Sequence, residues 1–207
     1  IIGDPAERTI EHARAIGSDL LVTGPAHGKR LGDKLLGSTA ARIVRHASEP
    51  VLAVRRRPEG PYATVVAGVD FSPRSRAAVL CGRNLFPEAQ FTLVHAYEVS
   101  PDWSGRNADK PLDEVEADEK AHVVRDTEQD MADFVAALDQ SGGKLSTVLL
   151  QGRPDVALSE YVDKHWPDLV VAGTHGRTGA REAILGSVAE QFLNTLPCDI
   201  LAVPTRR

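Results

Sequence analysis

The sequence predicts an α/β protein: an open parallel five-stranded sheet with helices on both faces, joined to a partial second copy of the same unit. Two observations lead to this fold class. Short β-branched runs alternate with amphipathic segments along residues 62–207, which is the pattern of right-handed strand–helix–strand crossovers. The earlier part of the chain also repeats the later part at a constant offset of 149 residues.

The first elements of residues 62–207 follow from local composition. The run ATVVAGVD at 63–70 predicts a strand buried on both faces. Ser72 and Pro73 supply an N-cap and a proline at the first helical position, so we expect a helix to begin there. FTLVHA predicts the second strand. After a loop at 100–110, residues 112–138 carry apolar side chains at helical spacing among many charges, which predicts an amphipathic surface helix.

The remaining elements alternate in the same way. LSTVLLQ, DLVVAG and CDILAV predict the third, fourth and fifth strands, and DVALSEYVDKH and SVAEQFLNTL predict the helices between them. In such a sheet, ligands bind beyond the carboxyl ends of the strands, at the point where the strand order reverses. Asp70, Ala96 and Gly173 lie at strand ends, so we expect them to border one crevice.

The internal repeat divides the chain. Four pairs of segments match in one register without a gap: IGDP with QGRP, DLLVTG with DLVVAG, LLGS with ILGS, and VLAV with ILAV. We therefore predict a partial unit at 1–57, a linker at 58–61 and a complete unit at 62–207. Because the first unit lacks its early strands, we expect the natural protein to be longer at its N-terminus.

Composition limits the class of protein. With a formal net charge of −5, the chain lacks the basic surface of a general nucleic-acid binder, and we expect no nucleic-acid partner. The run Arg55, Arg56 and Arg57 is interpreted as a solvated flank of the linker. Cys81 and Cys198 fall in a predicted helix and a predicted strand, which favours a reducing compartment. No apolar run suits a membrane span, so we expect a cytoplasmic protein.

A glycine-rich stretch, GTHGRTGAREAILGS, follows the fourth predicted strand. Its spacing is Gly173-x2-Gly176-x9-Gly186-Ser187, and a helix begins at its end. Glycines let backbone N–H groups approach a phosphate, and a helix N-terminus adds unpaired donors and partial positive charge. The stretch therefore predicts a phosphate-binding loop. A purely structural alternative stays open, because Ser187 and Glu190 have the spacing of a capping box.

These motifs resemble the universal stress protein family. The resemblance rests on Asp70 in GVDFS after the first strand, on GTHGRTGAREAILGS, on SVAE and on the closing apolar strand. It covers residues 62–207, and residues 1–57 resemble the last three strands and two helices of a second copy. The resemblance implies the strand order 3-2-1-4-5. It also implies that ATP binds where the G-x2-G-x9-G-S/T pattern is present, as it is here.

Site residues are carried over from the resemblance by position. Asp70 would contact the ribose or adenine, and the backbone of Ala96 would meet the adenine edge. Arg177 could pair with the terminal phosphate. The complete predicted binding set is Gly68, Val69, Asp70, Ser72, Ala96, Ala172, Gly173, Thr174, His175, Gly176, Arg177, Gly186, Ser187 and Val188. Two structural alternatives stay open: Asp70 could only turn the chain by accepting backbone bonds, and His95 is interpreted as a packed strand residue.

The corresponding stretch of the first copy, GPAHGKRLGDKLLGS, departs from the pattern. His27 stands where Gly176 stands in the second copy, and Ala41 takes the place of Glu190. We therefore expect one working site per chain, in residues 62–207. The resemblance further implies that VLAV and ILAV pair between the two copies as an intrachain pseudo-dimer, and that a homodimer through the last strands is possible.

The predicted function is binding of ATP, or another adenine nucleotide, with Mg²⁺, in a regulatory or stress-response module. Two alternatives from other classes stay open. One is a slow ATP hydrolase or phosphotransferase that uses the same pocket, although no nucleophile and base are paired in the sequence. The other is a nucleotide-free interaction protein that works through its dimer surface.

Overall fold

The computed structural model describes residues 3–24, 37–57, 59–99, 112–138, 144–174 and 185–204. Helices and strands alternate along these residues. The elements are α1 (Pro5–Ile16), β1 (Leu21–Thr23), α2 (Ser38–His46), β2 (Val51–Ala53), β3 (Thr64–Gly68), α3 (Pro73–Leu85), β4 (Gln90–Tyr97), α4 (Leu112–Ala136), β5 (Leu145–Gln151), α5 (Pro154–His165), β6 (Leu169–Gly173), α6 (Ser187–Thr195) and β7 (Asp199–Val203). Every helix and strand predicted for residues 62–207 is present. The predicted loop at 100–110 lies outside the described residues.

The strands form one sheet in the order β1-β2-β7-β6-β3-β4-β5. Its five strands from β3 to β7 have the expected order 3-2-1-4-5, and all pairs among them are parallel. The prediction of a five-stranded sheet is wrong, because the sheet has seven strands. β7 is the last strand of the five-stranded part, and its outer edge pairs with β2. β1 pairs with β2 and so belongs to the same sheet.

The β2–β7 pair is antiparallel, unlike its neighbours. Its register joins Val51 with Ala202, Leu52 with Leu201, and Ala53 with Ile200. The expected pairing of VLAV with ILAV is therefore found. Of the three strands that the resemblance implies for residues 1–57, the described residues contain two, β1 and β2.

Helices cover both faces of the sheet, as predicted. One apolar core joins α1, α2, α5 and α6 to the sheet, and the other joins α3 and α4 to the opposite face. Along β6, Val170 belongs to the first core and Val171 to the second, so successive side chains are buried on opposite faces. Among the described residues, no helix has an apolar stretch that could cross a bilayer.

The start of α3 follows its sequence signals. The Ser72 hydroxyl accepts a hydrogen bond from the Ser75 N–H at 3.1 Å, and Pro73 is the first helical residue. Farther along α3, Gly82 lies against the sheet. A Cβ there would lie 3.1 Å from Val171 and 3.2 Å from Phe91, so the glycine permits close packing of α3 on the strands. This packing holds the C-terminal half of α3 close to β4 and β6.

The interpretation of the arginine run as a solvated flank is wrong for Arg55, which is 3% exposed. Its guanidinium donates hydrogen bonds to the carbonyls of Leu196, at 2.9 Å, and Leu193, at the C-terminal end of α6. The N–H of Arg55 donates to Asp199 Oδ1 at 2.6 Å. Orphan carbonyls and negative partial charge at a helix C-terminus attract such a cation. Arg57 alone of the described run is exposed.

Tyr62 ties the segment after the linker to the same carboxylate. Its hydroxyl donates to Asp199 Oδ2 at 2.6 Å, and its ring packs edge-on against Phe86 with centroids 5.0 Å apart. Burial, together with the hydrogen bond to Asp199, raises the pKa of the Tyr62 phenol well above its ordinary value. The phenol therefore stays a hydrogen-bond donor at neutral pH.

Asp168 joins the start of β6 to the start of β3. Its Oδ2 accepts hydrogen bonds from the N–H groups of Ala63, at 2.9 Å, and Thr64, at 2.8 Å, and from the Thr64 hydroxyl at 2.9 Å. Burial raises the pKa of this carboxyl, but the bonds from Thr64 and Ala63 and the charge of Arg56 outweigh it, so the net pKa is lowered. The ionised carboxylate thus stabilises the alignment of two central strands.

We expect Asp168→Asn to lower the free energy of unfolding at neutral pH by about 1 kcal/mol, because charge-assisted hydrogen bonds become neutral ones. Since the folded-state pKa is lowered, this contribution is complete above the unfolded pKa of about 3.9 and is lost as the pH falls through the folded pKa. Urea unfolding of the wild type and of Asp168→Asn, from pH 7 to about pH 3, measures the difference between their free energies of unfolding, which should shrink as the pH falls. The control is Asp19→Asn, at the exposed matching position of the repeat. Equal losses in the two variants would contradict the assignment.

Candidate functional site

A cavity of about 170 Å³ lies beyond the carboxyl ends of β3, β4 and β6, against the first turn of α6. It sits where the strand order reverses, since β3 has β4 on one side and β6 on the other. Its described lining comprises Gly68, Val69, Asp70, Ser75, His95, Ala96, Pro154, Leu158, Ala172, Gly173, Gly186, Ser187, Val188, Ala189 and Phe192.

The inner wall of the cavity is apolar and suits a flat ring. Leu158 of α5 and Phe192 of α6 are almost fully buried and face it from two helices. A cavity of about 150 Å³ lined by such side chains is known to admit a benzene ring. Gly68 keeps this wall open, because a Cβ there would lie 3.0 Å from Leu158 Cδ2 and 3.7 Å from Phe192.

The backbone of Ala96 presents a donor and an acceptor to the cavity. Along β4, Gln90 and Val94 bond towards β3, since Gln90 N–H donates to Ala63 and the Val94 carbonyl accepts from Val69 N–H at 3.0 Å. Ala96 follows in the same alternation and faces the same side. The β3–β4 register ends at Gly68 and Val94, so the N–H and C=O of Ala96 lie past the end of β3, at the cavity lining.

Asp70 forms the turn that leaves β3. Its Oδ1 accepts the Ser72 N–H at 3.1 Å, and its own N–H donates to the Ser75 hydroxyl at 3.4 Å. Phe71 has φ of 63°, a left-handed conformation that is uncommon for an aromatic residue. The structural alternative for Asp70, a turn-forming carboxylate, is therefore found. Asp70 also lines the cavity, so the turn presents a carboxylate at its rim.

The ends of the glycine-rich stretch are fixed to each other and to the sheet. Gly186 N–H donates to the Thr174 carbonyl at 2.7 Å, and Thr174 N–H donates to the Val203 carbonyl at 3.0 Å. These two N–H groups are therefore engaged within the protein. Gly186 contributes in another way, because its φ of −59° and ψ of 145° make it the N-cap of α6.

The structural alternative of a capping box at Ser187 and Glu190 is not found. Ser187 is the first residue inside α6 rather than its N-cap, and the cap makes no side-chain hydrogen bond. Glu190 instead forms an ion pair with Arg45 of α2, with Nη2 and Oε1 3.2 Å apart. The N–H groups of Ser187, Val188 and the following residue belong to the first turn, where no intrahelical acceptor exists. They add positive partial charge at the cavity.

The structure brings together nine of the fourteen predicted residues at the cavity: Gly68, Val69, Asp70, Ala96, Ala172, Gly173, Gly186, Ser187 and Val188. Ser72 and Thr174 are not in the described lining. Ser72 caps α3, and the backbone of Thr174 bonds to Gly186 and Val203. The predicted residues His175, Gly176 and Arg177 lie outside the described residues.

The cavity lining also contains residues that the sequence patterns do not mark as site residues, namely Ser75, Pro154, Leu158, Ala189 and Phe192. His95, expected only to pack in its strand, lines the cavity as well. Leu158 and Phe192 lie at ordinary core positions of amphipathic helices, so periodicity gives no signal that they border a cavity. Pro154 has a recognisable sequence position, because it begins the helix after the third strand of the unit and so lies near the carboxyl end of that strand.

Comparison with known proteins places the chain in one family. Residues 1–55 and 61–204 match the universal stress protein family. The chain is 28% identical over 154 residues to universal stress protein MJ0531 of Methanocaldococcus jannaschii, across 73% of this chain and 87% of that protein. It is also 28% identical over 183 residues to universal stress protein Rv2005c of Mycobacterium tuberculosis, across 86% of this chain, and it spans 59% of the length of that relative.

The fold has a close counterpart among solved structures. The crystal structure of PA1789 from Pseudomonas aeruginosa PAO1, a protein described as functionally unknown, has a TM-score of 0.70 and 18% sequence identity, across 99% of this chain and 69% of that one. That likeness concerns the fold. The sequence match covers nearly the whole chain. The chain therefore belongs to the universal stress protein family.

Proposed function

We propose that the chain binds an adenine nucleotide, ATP in the first instance, in the cavity at the ends of β3, β4 and β6, and acts as a nucleotide-dependent regulatory module in a stress response. The observation that carries the proposal is the backbone of Ala96, whose donor and acceptor lie past the end of β3 beside an apolar cavity. Adenine offers an acceptor at N1 and a donor at N6 on one edge. The two patterns are complementary, and the apolar wall of Leu158 and Phe192 suits the ring faces.

The remaining parts of a nucleotide fit the other features of the cavity. Asp70 lies at its rim and is suited to accept hydrogen bonds from ribose hydroxyls. The first turn of α6, at Ser187 and Val188, supplies N–H donors and positive partial charge for phosphates. The predicted loop residues His175, Gly176 and Arg177 would complete the phosphate contacts.

Mg²⁺ would enter with the triphosphate. It takes oxygen ligands, keeps several waters and commonly binds through substrate phosphates with one or two carboxylates. Asp70 is the carboxylate in the described cavity lining, so it is the residue of this chain suited to share such an ion. When bound, the ion would neutralise phosphate charge.

The two units of the repeat would have different roles. We assign the nucleotide site to residues 62–207 and a supporting role to the partial unit at 1–57. The β2–β7 register supports an intrachain pseudo-dimer, because Leu52 pairs with Leu201, its own equivalent at the repeat offset of 149 residues. Pairing of equivalent residues across an antiparallel ladder is what a two-fold relation between two copies produces.

Isothermal titration with ATP tests the proposal. We expect saturable heat at one ATP per chain and weaker binding of ITP by about tenfold or more, because hypoxanthine reverses the donor and acceptor that Ala96 would read. Mass spectrometry of a co-purifying small molecule is an independent check. Absence of heat at millimolar ATP would leave the nucleotide-free interaction protein as the better proposal. Steady ADP release that is lost in Asp70→Ala would favour the hydrolase instead.

A further inference from the structure

The β3–β4 ladder stops one residue pair earlier than its geometry allows. Val69 N–H donates to the Val94 carbonyl at 3.0 Å, which is one half of a further parallel pair. The other half would be a hydrogen bond from Ala96 N–H to the Val69 carbonyl. The register nevertheless ends at Gly68 and Val94. Some other group must therefore satisfy the Val69 carbonyl.

That group is the imidazole of His95. Its Nδ1 lies 2.7 Å from the Val69 carbonyl oxygen, and because a carbonyl only accepts, Nδ1–H is the donor. The imidazole ring also packs against the ring of Phe71, with centroids 4.2 Å apart and an interplanar angle of 32°. Phe71 reaches this position with a φ of 63°. Backbone strain of this kind persists where surrounding contacts enforce it, and it is concentrated at functional sites.

We propose that His95 is a positioning residue for adenine recognition: by donating to the Val69 carbonyl, it occupies the acceptor that Ala96 N–H would otherwise use and keeps that N–H directed into the cavity. The inference rests on the proposed adenine site. His95 itself need not touch the nucleotide. The residue sets specificity, because the Ala96 N–H distinguishes the N1 acceptor of adenine from the N1–H donor of hypoxanthine or guanine.

Removal of the imidazole has a specific consequence. In His95→Leu the Val69 carbonyl loses its partner, and a buried carbonyl without one is costly. The Ala96 N–H is the donor that continues the ladder to this carbonyl, so the strand pair should close by one residue. His95→Asn keeps an N–H donor at nearly the position of Nδ1 and should preserve the open arrangement. The matched control is Tyr97→Leu, which removes a ring two residues farther along the same face of β4.

The test combines nucleotide affinity with amide exchange. We expect His95→Leu to weaken ATP binding about tenfold, which is the contribution of one hydrogen bond. ITP binding should change by less than about twofold. The preference for ATP over ITP should therefore fall about tenfold. His95→Asn should restore the preference, and Tyr97→Leu should keep it. In ligand-free protein, the Ala96 amide should exchange rapidly in the wild type and become protected in His95→Leu.

The possible outcomes separate the two proposals. If the wild type prefers ATP to ITP but His95→Leu keeps that preference, the role of His95 is overturned and the adenine site stands. If ATP and ITP weaken equally in His95→Leu, the residue is structural only, which also overturns the inference. If the wild type binds neither nucleotide, the proposed function fails. Exchange on the wild type needs no variant, and an Ala96 amide already protected without ligand would overturn the inference directly.

Discussion

Arg55→Met is expected to lower the free energy of unfolding by about 3 kcal/mol, the largest loss that we predict for a single charged residue of this chain. Arg55 is buried where β2 meets β7, and its guanidinium bonds to the carbonyls of Leu193 and Leu196 at the end of α6. Methionine has a similar length and preserves most of the apolar contact. The loss therefore reports on the two buried carbonyls left without a donor.

The backbone at Arg55 is held separately from its side chain. Its backbone N–H and that of Arg56 both donate to Asp199 Oδ1, at 2.6 Å and 3.0 Å, so the segment after β2 is tied to the start of β7. Burial lowers the pKa of the Arg55 guanidinium, while the neighbouring Cys198 and Asp199 raise it. Arginine keeps its charge across the accessible pH range. The loss in Arg55→Met should consequently be nearly the same at pH 6 and pH 9.

Urea unfolding followed by circular dichroism measures this prediction. Arg57→Met is the matched control, since Arg57 belongs to the same run but is exposed, and it should change the free energy of unfolding by less than about 0.5 kcal/mol. Arg55→Lys should recover part of the loss, because an ammonium also donates hydrogen bonds to carbonyls. The recovery should be incomplete, because an ammonium lacks the planar donor geometry of guanidinium. Equal and small effects at both arginines would show that the buried bonds contribute little.

The sequence predicted the secondary structure of residues 62–207 well, for physical reasons. Each strand is an apolar run bounded by turn residues, and signals such as Ser72-Pro73 are local and strong. The number of strands in the sheet was wrong because strand pairing between repeats is a long-range contact that periodicity does not encode. The pairing of VLAV with ILAV came from the family resemblance instead.

Other errors share that origin. Arg55 lies in a basic run beside a proline-rich linker, so composition indicates solvent, while its partners Leu193 and Leu196 are 138 and 141 residues away. The S-x-x-E spacing indicates a capping box, yet Gly186 takes the N-cap and Glu190 pairs with Arg45 of another helix. Local patterns state which contacts a segment can make. Tertiary structure decides which of them it does make.

The prediction with the largest expected effect on binding concerns the first turn of α6. Ser187→Pro should weaken ATP binding about thirtyfold, because it deletes one backbone N–H from the proposed phosphate site, and a hydrogen bond to a charged group is worth about 1.5–3 kcal/mol. The fold should tolerate the change. Ser187 is the first helical residue, where proline fits, and Gly186 before it has a ψ of 145°, which a residue preceding proline requires.

Two comparisons make the Ser187 result interpretable. Ser187→Ala removes the hydroxyl but keeps the N–H, so it should weaken binding by only a few fold, and the difference between the two variants isolates the backbone donor. Titration with ATP, AMP and inorganic triphosphate then locates the loss: triphosphate and ATP should weaken together, and the ATP preference over ITP should stay. A uniform loss of adenine specificity would instead indicate displacement of the whole first turn. Unchanged ATP affinity with an intact thermal midpoint would show that phosphates do not bind at the N-terminus of α6.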